Sequence, residues 1–266
     1  PEAGAELVDV PLVPPEAAAA AGDAERAWTI DLEALEGAFH EGAKAYLLCN
    51  PHNPTGLPHA RETLERVAEL AARYDVLVVS DEIHGALTHS DAEFVPYLSV
   101  SDAARASGVA VTSASKAFNI PGITAAWWIP GSPEVAARVR RVPESLEHQT
   151  SHFGVHASIA GFDLAREWLA STVEALEHAR GVLGELLAEH LPEVVYHVPR
   201  ASYLAWLDFR ALGWGDSPAK RILDEARVAL TPGAAFGASG RGYARIALAS
   251  SPDVLEQAVR CIAALR

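Results

Sequence analysis

The chain has no methionine among its 266 residues, and only two cysteines, Cys49 and Cys261. Two thiols 212 positions apart form neither a disulfide framework nor a zinc site, so a reducing, cytoplasmic setting is expected. The first residue is Pro1 rather than an initiator, which leads to the expectation of a chain without its front end. No apolar run approaches the roughly 20 residues that a membrane helix needs. Nor does a positively charged, leader-like stretch open the sequence. Basic residues are scarce: 21 Lys+Arg against 35 Asp+Glu give a formal net charge of −14. That deficit argues against a general nucleic-acid binder, which needs a basic face for phosphates. A small anion held in a local site stays open. What is present is globular: 50% hydrophobic and 21% charged residues, enough for one large domain or two smaller ones.

Short apolar runs alternate with helical patterns through the first half. Ala45–Cys49 is such a run and ends in the turn-dense Asn50-Pro-His-Asn-Pro-Thr-Gly56. A helix is predicted from about His59 to Arg73, with Leu64, Val67, Ala68 and Ala71 on one face. Val76–Val79, Val109–Thr112 and Ala125–Ile129 are further runs, and a helix over Thr29–Glu36, with Ile30 or Asp31 near its start, precedes them all. Before that helix, residues 1–22 mix a short apolar piece with an Ala-rich turn. Runs without polar alternation, joined by helices, imply a mostly parallel sheet covered on both faces. Trp127 and Trp128 read as core, and Arg138, Arg140 and Arg141 as the solvated face of a helix over Val135–Val142. Helical periodicity returns from about Gly154 to Leu191. Beyond Pro192 the pattern changes: Tyr203–Phe209 and Tyr243–Leu248 read as strands of an antiparallel sheet, with helices over Ala219–Ala226 and Asp253–Leu265. The expectation is an α/β fold, a large domain over 1–170 with a mostly parallel sheet flanked by helices, and a smaller α+β domain over 171–266.

In an open parallel sheet, ligands bind beyond the carboxyl ends of the strands. Three of these ends carry unusual polar groups: Asn53 after the first run, Asp81 after the second, and Ser113, Ser115 and Lys116 after the third. An amide, a carboxylate, two hydroxyls and an amine suit an anionic aromatic aldehyde with a ring nitrogen. Simpler readings stand beside this one. Asp81 and Ser113 also fit helix N-caps, Asn53 a turn residue beside Pro54, and Lys116 a solvated loop residue. His84 fits a hydrogen-bonded core histidine, and Arg245 a salt bridge.

Asn50-Pro-His-Asn-Pro-Thr-Gly56, Ser80-Asp-Glu-Ile-His84 and Thr112-Ser-Ala-Ser-Lys-Ala-Phe-Asn-Ile-Pro-Gly122, in this order and spacing, resemble the pyridoxal-phosphate (PLP) enzymes of fold type I. More narrowly, they resemble the class I/II aminotransferase superfamily and its cystathionine β-lyase-like branch of carbon–sulfur lyases. The resemblance covers essentially the whole chain. It implies that Lys116 is the Schiff-base lysine and that Asp81 pairs with the pyridine nitrogen. It also implies that Asn53 bonds the ring's 3-oxygen, that Ser113 and Ser115 lie near the phosphate, and that His84 is close to the cofactor. Arg245, in Gly242-Tyr-Ala-Arg-Ile-Ala-Leu-Ala249, matches the arginine that forks onto the substrate α-carboxylate. The family usually has an Asn two positions later, where this chain has Ala247.

Two departures favour the lyase branch. Many aminotransferases carry Tyr where this chain has His84, and a phosphate-binding Arg where it has Thr124. The resemblance therefore implies β-elimination from cystathionine or related cysteine S-conjugates, with transamination as the alternative. A rival from another class is the aminotransferase-like sensor module of a transcription regulator. A homodimer is implied, with a small amino-acid substrate, no nucleic acid, no membrane and no metal. The family's phosphate loop and a ring-stacking aromatic would precede Pro1, so the resemblance implies that a chain without them binds PLP poorly and is inactive alone.

Overall fold

A computed structural model describes residues 4–15 and 28–266, apart from the side chain of Glu147. The Ala-rich stretch 17–22 lies outside the described residues. Contacts divide the chain into two compact units. The first comprises residues 1–51, 58–86 and 94–166, and the second comprises residues 52–57, 87–93 and 167–266. Two short excursions from the first half of the sequence thus belong to the second unit. Among the described residues no helix is long and apolar enough to cross a membrane.

The first unit is built on four strands, β1 (Ala45–Cys49), β2 (Leu77–Asp81), β3 (Gly108–Thr112) and β4 (Trp127–Pro130), in the order β1-β2-β3-β4. The first two pairings are parallel and the third is antiparallel. The sheet is therefore mostly parallel and flanked by helices, as the pattern of runs predicts. The helix Leu32–His40 starts where the Asp31 carboxylate accepts the Ala34 N–H at 2.9 Å. The helix Arg61–Tyr74 turns Leu64, Val67, Ala68 and Ala71 inward at i, i+3, i+4 and i+7. It ends at Asp75, whose φ of 52° is left-handed and stops the helix. These helices and the strand residues Leu48 and Val78 share one hydrophobic core.

The tryptophans correct the expectation. Among the described residues β4 pairs with β3 alone. Trp128 is 49% exposed, and Trp127 is half-buried with its ring edge-on to Phe162 at 6.2 Å. Arg138, Arg140 and Arg141 are exposed, as expected.

The base of the turn after β1 is clasped by buried polar groups. The Asn50 Nδ2 donates to the Val95 carbonyl at 2.9 Å, and its Oδ1 accepts the His59 N–H at 3.1 Å. His59 in turn donates from Nε2 to the Cys49 carbonyl at 3.2 Å. Burial disfavours the charged ring and pulls the His59 pKa down to about 4, against a weaker opposing pull from that carbonyl. The unfolded chain takes up this proton near pH 6.5 and the folded chain only near pH 4. Stability is thus full above about pH 6.5 and falls as the pH drops toward 4, by ~3 kcal/mol over that window. Urea unfolding of wild type and His59→Gln across pH 4–7 checks this. Equal pH slopes in the two proteins would remove His59 as the cause.

The second unit packs the helix Arg166–His190 on an antiparallel sheet of β5 (Val195–Tyr196), β6 (Leu204–Asp208), β7 (Thr231–Pro232) and β8 (Tyr243–Ala247), in the order β5-β6-β8-β7. The helix buries Leu176, Ala179, Leu183 and Leu187, and the final helix, Pro252–Ala263, buries Leu255, Val259 and Ile262 against the same core. All five residues of β6 are buried.

Both excursions are tied into this unit by specific contacts. Gly56 has φ +67°, and a Cβ there would meet the Pro199 Cβ at 2.4 Å, so only glycine fits. Its carbonyl accepts the Arg200 N–H at 3.0 Å. The stretch 87–93 is held by Arg180 of the long helix, which donates to both Asp91 carboxylate oxygens at 3.1 Å, to the Pro199 carbonyl at 3.0 Å and to His89 Nδ1 at 3.1 Å. A guanidinium can only donate, so Nδ1 accepts and the His89 proton sits on Nε2, which donates to the Ser202 carbonyl at 3.0 Å.

Candidate active site

β2 and β3 lie side by side and parallel, with Asp81 in register with Val111. Their carboxyl ends therefore open on the same edge of the sheet. Asp81 is the last residue of β2 and is exposed; its Oδ1 accepts the Ile83 N–H at 3.1 Å, which fixes the side chain in a local turn. The second carboxylate oxygen is left for another donor. Three residues on, His84 is buried at 4% exposure.

The next residue after Asp81 escaped the sequence reading. Glu82 is buried, and its Oε1 accepts both the Ser80 hydroxyl at 3.0 Å and the Tyr97 N–H at 2.8 Å. Burial raises its pKa above the usual carboxylate value, and the two hydrogen bonds work against that rise. Glu82 thereby braces the strand end that presents Asp81. A signal existed: a carboxylate directly following Asp81 at the end of an apolar run needs partners if it is buried.

Beyond β3, Ser113 caps the short helix Ala114–Ala117. Its Oγ accepts the Ser115 N–H at 3.1 Å and donates to the Ala125 carbonyl at 2.6 Å. The only proton of this hydroxyl is thus engaged within the protein. Ser115 and Lys116 follow and are half-buried, while Ala114 and Ala117 on either side are buried. Phe118 closes the helix against Phe162, edge-on at 5.0 Å between centroids. Gly161 makes room for that ring, because a Cβ there would stand 2.8 Å from it. Lys116 therefore rides on a turn fixed at both ends. The sheet edge of the first unit carries a carboxylate from one strand end and an amine from its neighbour.

Asn53 and Arg245, 192 residues apart in sequence, meet in the second unit. The Arg245 Nη1 donates to the Asn53 Oδ1 at 2.7 Å. Because a guanidinium only donates, the amide oxygen is the Asn53 atom that faces it. The Arg245 Nη2 donates to the Thr231 Oγ1 at 3.3 Å, and its Cζ sits 4.9 Å from the centroid of the Phe236 ring. Partial burial lowers the Arg245 pKa, with an opposing contribution from Tyr203; a guanidinium remains charged at neutral pH regardless. The salt-bridge alternative for Arg245 gives way to two neutral hydrogen-bond partners. Thr231 and Phe236 were not singled out in the sequence. Their signal was weak: one aromatic within Gly233-Ala-Ala-Phe-Gly237, in a segment with no strand or helix pattern.

Comparison with known proteins gives this arrangement a family. The model of aminotransferase class I and II matches residues 3–262. A Mycobacterium tuberculosis protein provisionally named cystathionine β-lyase is 46% identical over 255 residues, covering 86% of this chain and 62% of the relative. Cystathionine β-lyase PatB of Bacillus subtilis is 34% identical, covering 90% of this chain and 62% of its own length. Among solved structures, cystalysin from Treponema denticola, which contains a pyridoxal 5'-phosphate cofactor, superposes with a TM-score of 0.83 at 25% identity. That match covers 89% of this chain and 61% of cystalysin. The PLP-bound C–S lyase from Staphylococcus hominis matches with the same score and identity over 97% of this chain and 65% of its own. The chain thus spans about three-fifths of the length of these relatives. By the extent of the family match and the identity to its members, the chain belongs to the aminotransferase class I and II family.

Proposed function

We propose that the protein is a PLP-dependent carbon–sulfur β-lyase that cleaves cystathionine or related cysteine S-conjugates to a thiol, pyruvate and ammonia. One observation carries this reading: parallel neighbouring strands deliver Asp81 and, five residues past its partner Val111, Lys116 to the same sheet edge. The names of the relatives, cystathionine β-lyase and C–S lyase, support the reaction class. Within the first unit the donors fit the cofactor: an amine for its aldehyde, and a carboxylate with one oxygen uncommitted for its ring nitrogen. When bound, PLP supplies an electron-withdrawing ring that stabilises negative charge at the substrate Cα.

In this reading Lys116 Nζ would hold the cofactor by its aldehyde, and the same amine would take the substrate Cα proton. Asp81 keeps a proton on the ring nitrogen, so that the ring draws charge more strongly. Asn53 would bond the ring's 3-oxygen. The Arg245 guanidinium receives the substrate α-carboxylate. His84 and Ser115 belong to the cofactor pocket, whereas Ser113 acts through its cap, holding the Lys116 turn and the amides around the phosphate. The PLP-binding domain of residues 1–170, the small domain of 171–266, a homodimeric assembly and a cytoplasmic location are parts of the same proposal. The full-length protein incubated with cystathionine releases pyruvate without an added keto acid. Strict dependence on a keto-acid acceptor would instead assign transamination.

A further inference from the structure

The geometry around Arg245 points to Phe236 as the residue that fixes the plane of the guanidinium and so sets the affinity for the substrate α-carboxylate. This inference rests on the proposed role of Arg245.

A guanidinium is flat and binds a carboxylate through two parallel N–H groups lying in its own plane. Such a fork works only if that plane is held before the carboxylate arrives. Hydrogen bonds at the edge of the group limit rotation within the plane. Here Asn53 Oδ1 at 2.7 Å and Thr231 Oγ1 at 3.3 Å serve that purpose, one on each terminal nitrogen. Neither bond prevents the group from tipping about the line joining its partners. A ring over its face does, and the Phe236 centroid lies 4.9 Å from Cζ. The contact is also attractive, since the ring's negative face meets a delocalised cation.

Phe236 is itself held in place. Trp206 meets it edge-to-face, with centroids 5.5 Å apart and planes at 87°. Trp206 is 4% exposed and stacks on Tyr243 at 5.1 Å with an interplanar angle of 7°. It is also the direct partner of Arg245 across the β6–β8 ladder, while Thr231 is the partner across β7–β8. The sheet register therefore delivers one side of the guanidinium's surroundings and the Phe236 turn delivers the other. That turn closes on itself through two glycines. A Cβ on Gly233 would stand 2.0 Å from the Gly240 carbonyl oxygen, and one on Gly240 would stand 2.1 Å from that of Gly233. No side chain fits at either position, and the backbone crossing returns Phe236 to the face of Arg245. In this role Phe236 is a positioning residue, acting on the carboxylate through Arg245.

The test uses the full-length, PLP-loaded protein and two substrates, a cysteine S-conjugate and its α-carboxamide, which lacks the anion. Phe236→Leu keeps an apolar side chain and removes the ring. It is expected to raise KM for the carboxylate substrate about tenfold, the size of a typical cation–π contact converted at a factor of ten per 1.4 kcal/mol. kcat stays within about twofold, and KM for the carboxamide does not move. Phe236→Tyr, which restores the ring, returns the preference for the carboxylate to the wild-type value. General loosening of the domain would raise both KM values together, and that result overturns the inference. Phe236→Met carries the same test should the leucine variant fail to fold. Arg245→Gln separates the two levels. If it abolishes the preference while Phe236→Leu and Phe236→Met leave it intact, Phe236 loses its role and Arg245 keeps its own. If Arg245→Gln leaves the preference unchanged, the carboxylate role of Arg245 falls, and this inference with it.

Discussion

Lys116→Ala is expected to eliminate covalent cofactor attachment and to lower turnover of cystathionine by about 10³-fold or more. The size follows from two roles held by one atom. In the proposed function its Nζ is both the amine for the cofactor aldehyde and the base for the Cα proton, and loss of a positioned base alone removes about 10²–10⁴-fold. The fold is expected to tolerate the change. Lys116 is half-buried on a turn whose packing comes from Ala114, Ala117 and Phe118, and alanine suits a helix. Borohydride reduction followed by peptide mass analysis reads the attachment directly, and the visible absorption of the loaded wild-type protein reads it independently. A reducible adduct persisting in the alanine variant would give the role to another amine.

Asp81→Asn is expected to lower kcat by about 10²–10³-fold, the scale of losing one charged group aimed at developing charge. The substitution is nearly isosteric, and its amide oxygen can still accept the Ile83 N–H that Asp81 Oδ1 accepts at 3.1 Å. The strand end is braced separately by Glu82, through Ser80 and Tyr97. Thermal unfolding should therefore move little while turnover collapses, because a neutral amide does not hold a proton on the ring nitrogen. A drop in kcat of less than about tenfold, in a protein that binds PLP normally, would show that Asp81 does not face the ring nitrogen.

The parts of the fold legible in the sequence are those dictated by short-range patterns. Leu64, Val67, Ala68 and Ala71 must share one side of a helix because 3.6 residues make a turn. Ala45–Cys49, Leu77–Asp81 and Gly108–Thr112 form strands because apolar, partly β-branched runs bounded by turn residues suit a sheet covered by helices. Trp128 is exposed and Trp127 half-buried for a reason that local pattern does not contain. Burial depends on which neighbours a strand has, and among the described residues β4 pairs with β3 alone. The excursions 52–57 and 87–93 were illegible for a similar reason. Their membership of the second unit rests on Gly56 against Pro199 and on Arg180 reaching His89 and Asp91 about 90 positions earlier.

The candidate site divides in the same way. Asn53, Asp81, Ser113, Ser115 and Lys116 could be picked out because each follows an apolar run at the position where strands hand over to turns. The braces around them could not. Local pattern marks neither Glu82 nor Phe236, and places His59 only at the start of a helix.

By itself, then, the amino-acid sequence determined which segments become strands and helices, and which chemical groups stand at the strand ends. Both are consequences of local periodicity and turn chemistry. Only the tertiary structure decided that Asp81 and Lys116 leave adjacent parallel strands, that Ser113 gives its proton to Ala125, and that Asn53, Thr231 and Phe236 surround one guanidinium. Contacts between residues up to 192 positions apart are set by strand order and by close backbone approach, and neither leaves a periodic trace in the chain.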